Sequence, residues 1–246
     1  MIRARDDRAM PLSRHLAELR RVLIVSGAAW LAGTVTAFAL NNVVLALLLH
    51  PLHDALRNNA SIVPGAIFTS PTEGLTVPLK VSAIAGVVLA LPVILLQVWG
   101  FVRPGLTKRE RRVAGPIIAG GLLLFAAGAA LAYFVMPVGL RFLATFLGGN
   151  ATYFPDINEY LSFITLLVLA FGVTFELPVV VLILGMLRIV SSAWLRRRRR
   201  KVWIACVFAA LAVTPGADPF TPLALALPLI ALFEGSVLVL DRALKR

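Results

Sequence analysis

The chain has 246 residues, of which 59% are hydrophobic and only 15% charged, yet its formal net charge is +12. Soluble domains average about 45–50% apolar and about 25% charged residues, so there are too few charges to coat a water-facing surface, and the apolar content excludes a disordered basic tail. A nucleic-acid-binding module needs its basic face on a soluble fold and a disulfide scaffold needs a partner that Cys206, the sole cysteine, lacks, which leaves a polytopic membrane protein.

A helix needs about 20 mainly apolar residues to cross a bilayer, and charge-poor windows predict the elements in turn. Residues 1–21 form a basic segment carrying Arg3, Arg5, Arg8, Arg14, Arg20 and Arg21. Within it Ser13 suits a helix N-cap, and Glu18 in HLAELRR has the spacing to pair with Arg14 or Arg21. The first span covers 22–41. Ala37-Phe38-Ala39 has the form of a signal-peptide cleavage site, but the apolar stretch before it exceeds the usual 7–15 residues or so of such a core, so the helix is expected to be retained. Residues 42–77 form an outer cap loop, in which Val43 to Leu56 suits a helix lying in the interface. His50 and His53 lack a third ligand and read as interfacial polar groups, with no metal expected.

The second span covers 78–100 and is followed by Arg103, Lys108, Arg109, Arg111 and Arg112. Thr107-Lys108-Arg109-Glu110 matches the T-x-x-E capping box for a third span at 114–136. After an outer loop at 137–159, the fourth span covers 160–187 and holds Glu176 near mid-membrane, two residues before Pro178. An acidic residue at that depth costs on the order of 2.5–3.5 kcal/mol, so it is either locked to another helix by a hydrogen bond or docks a polar group from a partner or substrate. Arg188, Arg196 to Arg200 and Lys201 follow; beside a span such a run anchors topology and attracts anionic lipids. A fifth helix at 202–213 rises only about 18 Å and is either a short span or half of a re-entrant hairpin. The turn-rich segment TPGADPFTP leads to a sixth span at 223–240, which holds Glu234, and a tail at 241–246.

All but Arg57, Lys80 and Arg141 of the 24 cations therefore fall on one side. Lysine and arginine are retained in the cytoplasm, which puts both termini there. The fold expected is a single all-α transmembrane domain over 1–246 with six transmembrane helices, the last two short. HExxH, GxSxG and GxxxxGK[ST] motifs are absent, so neither an enzyme nor a cofactor is expected.

HLAELRRVL, TSPTEGLTVPLK, QVWGFVRPGLTKRERR, FGVTFELPVVV and TPGADPFTPLALALPLIALFE, in this order on this charge map, resemble the C subunit of the twin-arginine translocase, the TatC family, from about Leu12 to Glu234. The resemblance implies a signal-peptide receptor and core subunit that exports folded proteins across the cytoplasmic membrane of a prokaryote. It implies single-span TatA/TatB-type partners, the proton-motive force as driver, and a homo-oligomer within a hetero-complex. Glu18 and Glu110 match the glutamates that bind the paired arginines of the signal peptide, and Phe101, Pro104, Lys108 and Arg111 match the same recognition region. Glu176 matches the intramembrane polar residue of partner contact. Pro51, Glu73 and Lys80 match positions of the outer cap, and Asp218 matches the aspartate between the last two spans. The loop Thr214 to Pro222 departs from the family's T-P-P-D by one extra residue before its aspartate, and Thr221 or Pro222 stands where a glutamine is usual. The alternative from another class is a proton- or cation-coupled small-solute transporter using Glu176.

Overall fold

A computed structural model describes residues 12–56, 69–106, 114–145, 156–214 and 219–244. Nine α-helices lie among these described residues: α1 Leu12–Ala39, α2 Asn41–Leu56, α3 Glu73–Val102, α4 Ala114–Thr145, α5 Ile157–Thr174, α6 Leu177–Met186, α7 Ser192–Arg197, α8 Arg199–Val213 and α9 Phe220–Leu244. Five helical stretches are long and apolar enough to cross a membrane: Leu16–Ala39, Glu73–Gly105, Gly115–Phe142, Ile157–Met186 and Phe220–Asp241. The chain is an all-α multi-pass membrane protein. α8 has 15 residues, a rise of about 22 Å, against about 30 Å of hydrocarbon.

Several boundaries differ from those expected. Ser13 lies inside α1 rather than capping it. α3, α4 and α9 all run beyond the apolar windows, because the polar ends of a span continue the same hydrogen-bond ladder. The expected fourth span is two helices, α5 and α6, meeting at Phe175 and Glu176. Pro178 has no N–H to donate back to Thr174, and the Thr174 hydroxyl donates to the Ala170 carbonyl at 2.5 Å, so the ladder weakens from both sides.

α5 is the centre of the bundle. Its Leu161, Ile164, Leu167 and Phe171 are shielded by Leu48 and Leu52 of α2, Val77 and Val81 of α3, Ala132 and Met136 of α4, and Leu225 and Leu229 of α9. A second, smaller core joins Leu195 of α7 to Phe233, Val237 and Leu240 of α9, with Leu177 and Val181 of α6 beside them. α1 lies outside this core and packs along α3. The backbones meet at Gly33 and Gly86: a Cβ on Gly33 would sit 2.7 Å from the Gly86 carbonyl oxygen, and one on Gly86 would sit 2.6 Å from the Thr34 nitrogen. The Trp30 indole N–H donates to the Ala83 carbonyl at 2.8 Å beside this crossing. Close backbone approach through small residues is how helices associate in lipid, where no hydrophobic drive exists between them.

Candidate functional site

At the basic end, α1 carries Glu18 between arginines. Its Oε2 is buried without a hydrogen-bond partner, and among the described residues Glu18 makes no ion pair. The local pair with Arg21 allowed by spacing is therefore not formed; the Arg14 side chain lies outside the described residues. α3 ends with half-buried Phe101 and Val102, and a tight 3-10 turn, Arg103–Gly105, contains Pro104. Proline presets the backbone angle of such a turn. Leu106 is buried behind it, and Gly105 lies so close to Leu187 that a Cβ would meet that side chain at 2.9 Å. The turn is thus fastened to the end of α6. Lys108, Glu110, Arg111 and the expected capping box lie outside the described residues.

Glu176 stands at the break between α5 and α6. Both its carboxylate oxygens are buried and have no hydrogen-bond partner. A Cβ on Gly121 of α4 would lie 2.9 Å from Oε2, and 3.1 Å from Leu95 Cδ1 of α3. The carboxylate therefore occupies a niche floored by a glycine and walled by a leucine. Of the two sequence readings, the internal hydrogen-bond lock is not present. The side chain is an unused acceptor deep in the bundle, and such a group calls for an explanation.

Among the described residues, the starts of α3 and α5 are joined by a dense set of hydrogen bonds. Glu73, 5% exposed, accepts from the Thr69 backbone N–H at 2.9 Å, and its Oε1 lies 2.8 Å from the Thr69 hydroxyl. The same hydroxyl lies 2.7 Å from Asp156 Oδ2. Asp156 caps α5, its Oδ1 accepting from the Glu159 N–H at 2.8 Å. That backbone N–H first, then the Thr69 hydroxyl, holds the Asp156 carboxyl below its ordinary value. Lys80 Nζ donates to Asn158 Oδ1 at 2.8 Å and to Ser162 Oγ at 2.9 Å, tying α3 to α5. Pro51 is buried in α2, and lacking an N–H it leaves the Leu47 carbonyl open. The Tyr133 hydroxyl of α4 donates to that carbonyl at 2.9 Å, and the Tyr160 hydroxyl of α5 to the next one, Leu48, at 2.8 Å. Pro51, Glu73 and Lys80 therefore lie at junctions among α2, α3, α4 and α5. Asp218 lies outside the described residues.

Two features escaped the sequence reading. Asp156-Ile157-Asn158-Glu159 has the D-x-x-E form that starts a helix and was there to be found. Glu234 of α9 accepts from Arg199 at 3.0 Å and from the Trp203 indole N–H at 2.9 Å, while Arg196 forms an ion pair with Asp241. Only tertiary packing brings these groups together.

A family model described as "Sec-independent protein translocase protein (TatC)" matches residues 14–228. The chain is 37% identical to the Sec-independent protein translocase protein TatC of Carboxydothermus hydrogenoformans, over 95% of this chain and 94% of that one. It is 37% identical to the TatC of Frankia casuarinae, over 95% of this chain and 66% of the longer Frankia protein. A crystal structure of the "Twin Arginine Translocase Receptor- TatC" superposes with a TM-score of 0.78 at 34% identity, covering 94% of this chain and all of that one.

Proposed function

We propose, for a chain that belongs to the TatC family of Sec-independent protein translocase proteins, that Glu18 and Glu110 together receive the paired arginines of a signal peptide. The chain is a core subunit of the twin-arginine translocase, and its role is protein transport. Nothing in the matches supports a small-solute transporter.

One observation carries the proposal: the buried, unbonded Oε2 of Glu18 on a segment otherwise rich in cations. A guanidinium is planar, permanently charged and matched to a carboxylate in two-point contact. An unpaired carboxylate oxygen loses nothing when it binds one, whereas a carboxylate already in an ion pair must first release its partner. Phe101 at the end of α3 and Pro104 in the turn that follows complete the recognition region in this reading. Lys108, Arg111 and the neighbouring arginines repel basic segments that do not reach both acids, which favours paired arginine over scattered lysine. Glu176 takes a polar group from the signal peptide or from a single-span TatA/TatB-type partner into its niche. The outer cap of Pro51, Glu73 and Lys80, with Asp218 in the last loop, closes the other side.

The charge map supports a cytoplasmic membrane location with both termini inside. The proton-motive force as driver, and assembly as a homo-oligomer within the hetero-complex, complete the reading, with anionic lipid on the basic face. Glu18→Gln, Glu110→Gln and their double variant are expected to insert normally and to stop export of twin-arginine precursors. Normal export by the double variant would refute the assignment. A photo-cross-linker at position 18 or 110 should capture the paired-arginine region of a precursor.

A further inference from the structure

α6 runs between two places of the candidate site. At one end stands Glu176, whose carboxylate lies in the niche against Gly121 and does not cap the helix that follows it. At the other end Leu187 lies so close to Gly105, in the turn that holds Pro104, that a Cβ there would meet its Cδ2 at 2.9 Å. Glu176 and Leu187 stand about 16 Å apart along the helix axis.

Both ends of this segment depart from the helical ladder. The Glu176 N–H turns back to the Val173 carbonyl at 3.1 Å, and Pro178 has no N–H to continue from α5. Past the other end, Arg188 takes φ 59° and its N–H returns to Gly185 at 3.0 Å. Between these ends Gly185 is buried against Leu240 of α9, where an added Cβ would overlap the leucine. Along the axis that contact is about 3 Å from Leu187 and about 14 Å from Glu176. A tilt about it moves Glu176 some four to five times as far as Leu187, so a shift of about 0.5 Å at Leu187 becomes about 2 Å at Glu176. That is enough to carry a carboxylate into or out of hydrogen-bond range. Leu177, Val181 and Leu182 meet α9 through hydrocarbon alone, against Phe233, Val237 and Leu240, and packed helices of this kind can slide on one another.

We infer that α6 is a lever between the recognition turn and the Glu176 niche, and that Leu187 is the positioning residue that engages it. When paired arginines bind, the turn moves, Gly105 displaces Leu187, α6 tilts about Gly185, and the Glu176 carboxylate is presented to the polar group it takes. This rests on the receptor reading of Glu18 and Glu110 and adds that occupancy of one place alters the other. Such coupling is reciprocal: a change in the niche must alter the affinity for paired arginines.

The test uses the detergent-purified full chain with Cys206→Ala and Leu95→Cys, the new thiol tagged with a trifluoromethyl group. Leu95 walls the niche, so the fluorine resonance reports on it while Glu176 stays in place. The ligand is a soluble peptide with the paired-arginine region and no apolar core, so that nothing of it enters the membrane; its twin-lysine version is the control. Saturation with the paired-arginine peptide should shift the resonance, and the twin-lysine peptide should not. Leu187→Ala should bind the peptide within about threefold of the parent yet lose most of the shift, and Leu187→Met should restore it. Glu176→Leu should change peptide affinity at least about fivefold, and by less than about twofold once Leu187→Ala is present. An undiminished shift in Leu187→Ala, or no shift in a parent that binds the peptide, overturns the lever and leaves the receptor reading standing. Equal loss of binding in Leu187→Ala and Leu187→Met would assign the residue to packing alone and also overturn the lever. No binding of the paired-arginine peptide by the parent overturns the receptor reading and the lever with it.

Discussion

Thr69 and Asp156, 87 positions apart, are joined by a 2.7 Å hydrogen bond from the threonine hydroxyl to a carboxylate oxygen. The hydroxyl has one proton and also lies 2.8 Å from Glu73 Oε1, so it serves two carboxylates and links the start of α3 to the start of α5. The Asp156 carboxyl sits below its ordinary 3.8 in the folded chain, through the Glu159 N–H and then Thr69. A lowered folded value means the contribution is complete above about pH 4 and is lost as pH falls through the folded value. Hydrogen exchange at the Glu159 amide should therefore accelerate in acid on that side. Asp156→Ala should remove the acid dependence and cost about 1 kcal/mol of thermal stability, the usual worth of an N-cap.

Gly86 should tolerate no side chain. A Cβ there would lie 2.6 Å from the Thr34 backbone nitrogen, which cannot rotate away, so Gly86→Val must push α1 off α3. A loss of about 1–3 kcal/mol is expected from such overpacking, read as a lower melting temperature and easier proteolysis at the α1 end. Gly27 on the same helix has nothing within 4 Å of its would-be Cβ, and Gly27→Ala should stabilise by up to about 1 kcal/mol.

Glu176→Leu should separate stability from activity. Removing a buried acceptor with no partner relieves a penalty of about 1–3 kcal/mol. The variant should melt at a higher temperature in detergent yet fail to export. Unchanged export would show that the carboxylate has no transport role, and a lower melting temperature would show that it has a hidden structural one.

Arg188 has φ 59°, the left-handed region that favours glycine, just past the end of α6. Its N–H donates to the Gly185 carbonyl and the Ile189 N–H to the Leu184 carbonyl, both at 3.0 Å, closing the helix. Arg188→Gly should raise stability by about 1 kcal/mol, measurable by thermal unfolding.

Legibility in the sequence followed the physics of each feature. Charge-free windows revealed the spans because the bilayer imposes length and apolarity directly. Glu176 stood out because a carboxylate in hydrocarbon is costly, and its niche against Gly121 confirms its isolation without having been foreseeable. The break beside it was signalled by Pro178, yet whether such a helix bends or divides depends on what Thr174 bonds. The cap network of Thr69, Glu73, Lys80 and Asp156 was invisible as a network. Its members are ordinary polar residues at span ends, and only the packing of α3 on α5 brings them together. The pairing of Arg196 and Arg199 with α9 was hidden for the same reason, since six like charges in a row look interchangeable until a fold selects among them.

The dependence of α1 on α3 also sets an order of events during synthesis. α1 ends at Ala39, and the helix that receives it is complete only at Val102. At roughly 5–20 residues per second, the first helix waits in lipid for several seconds before its neighbour exists. Gly33 and Thr34 are exposed to the bilayer throughout that interval. The segment bearing Glu18 is thus made well before the helix that completes its surroundings. A nascent chain halted before α3 would present an α1 without its docking partner.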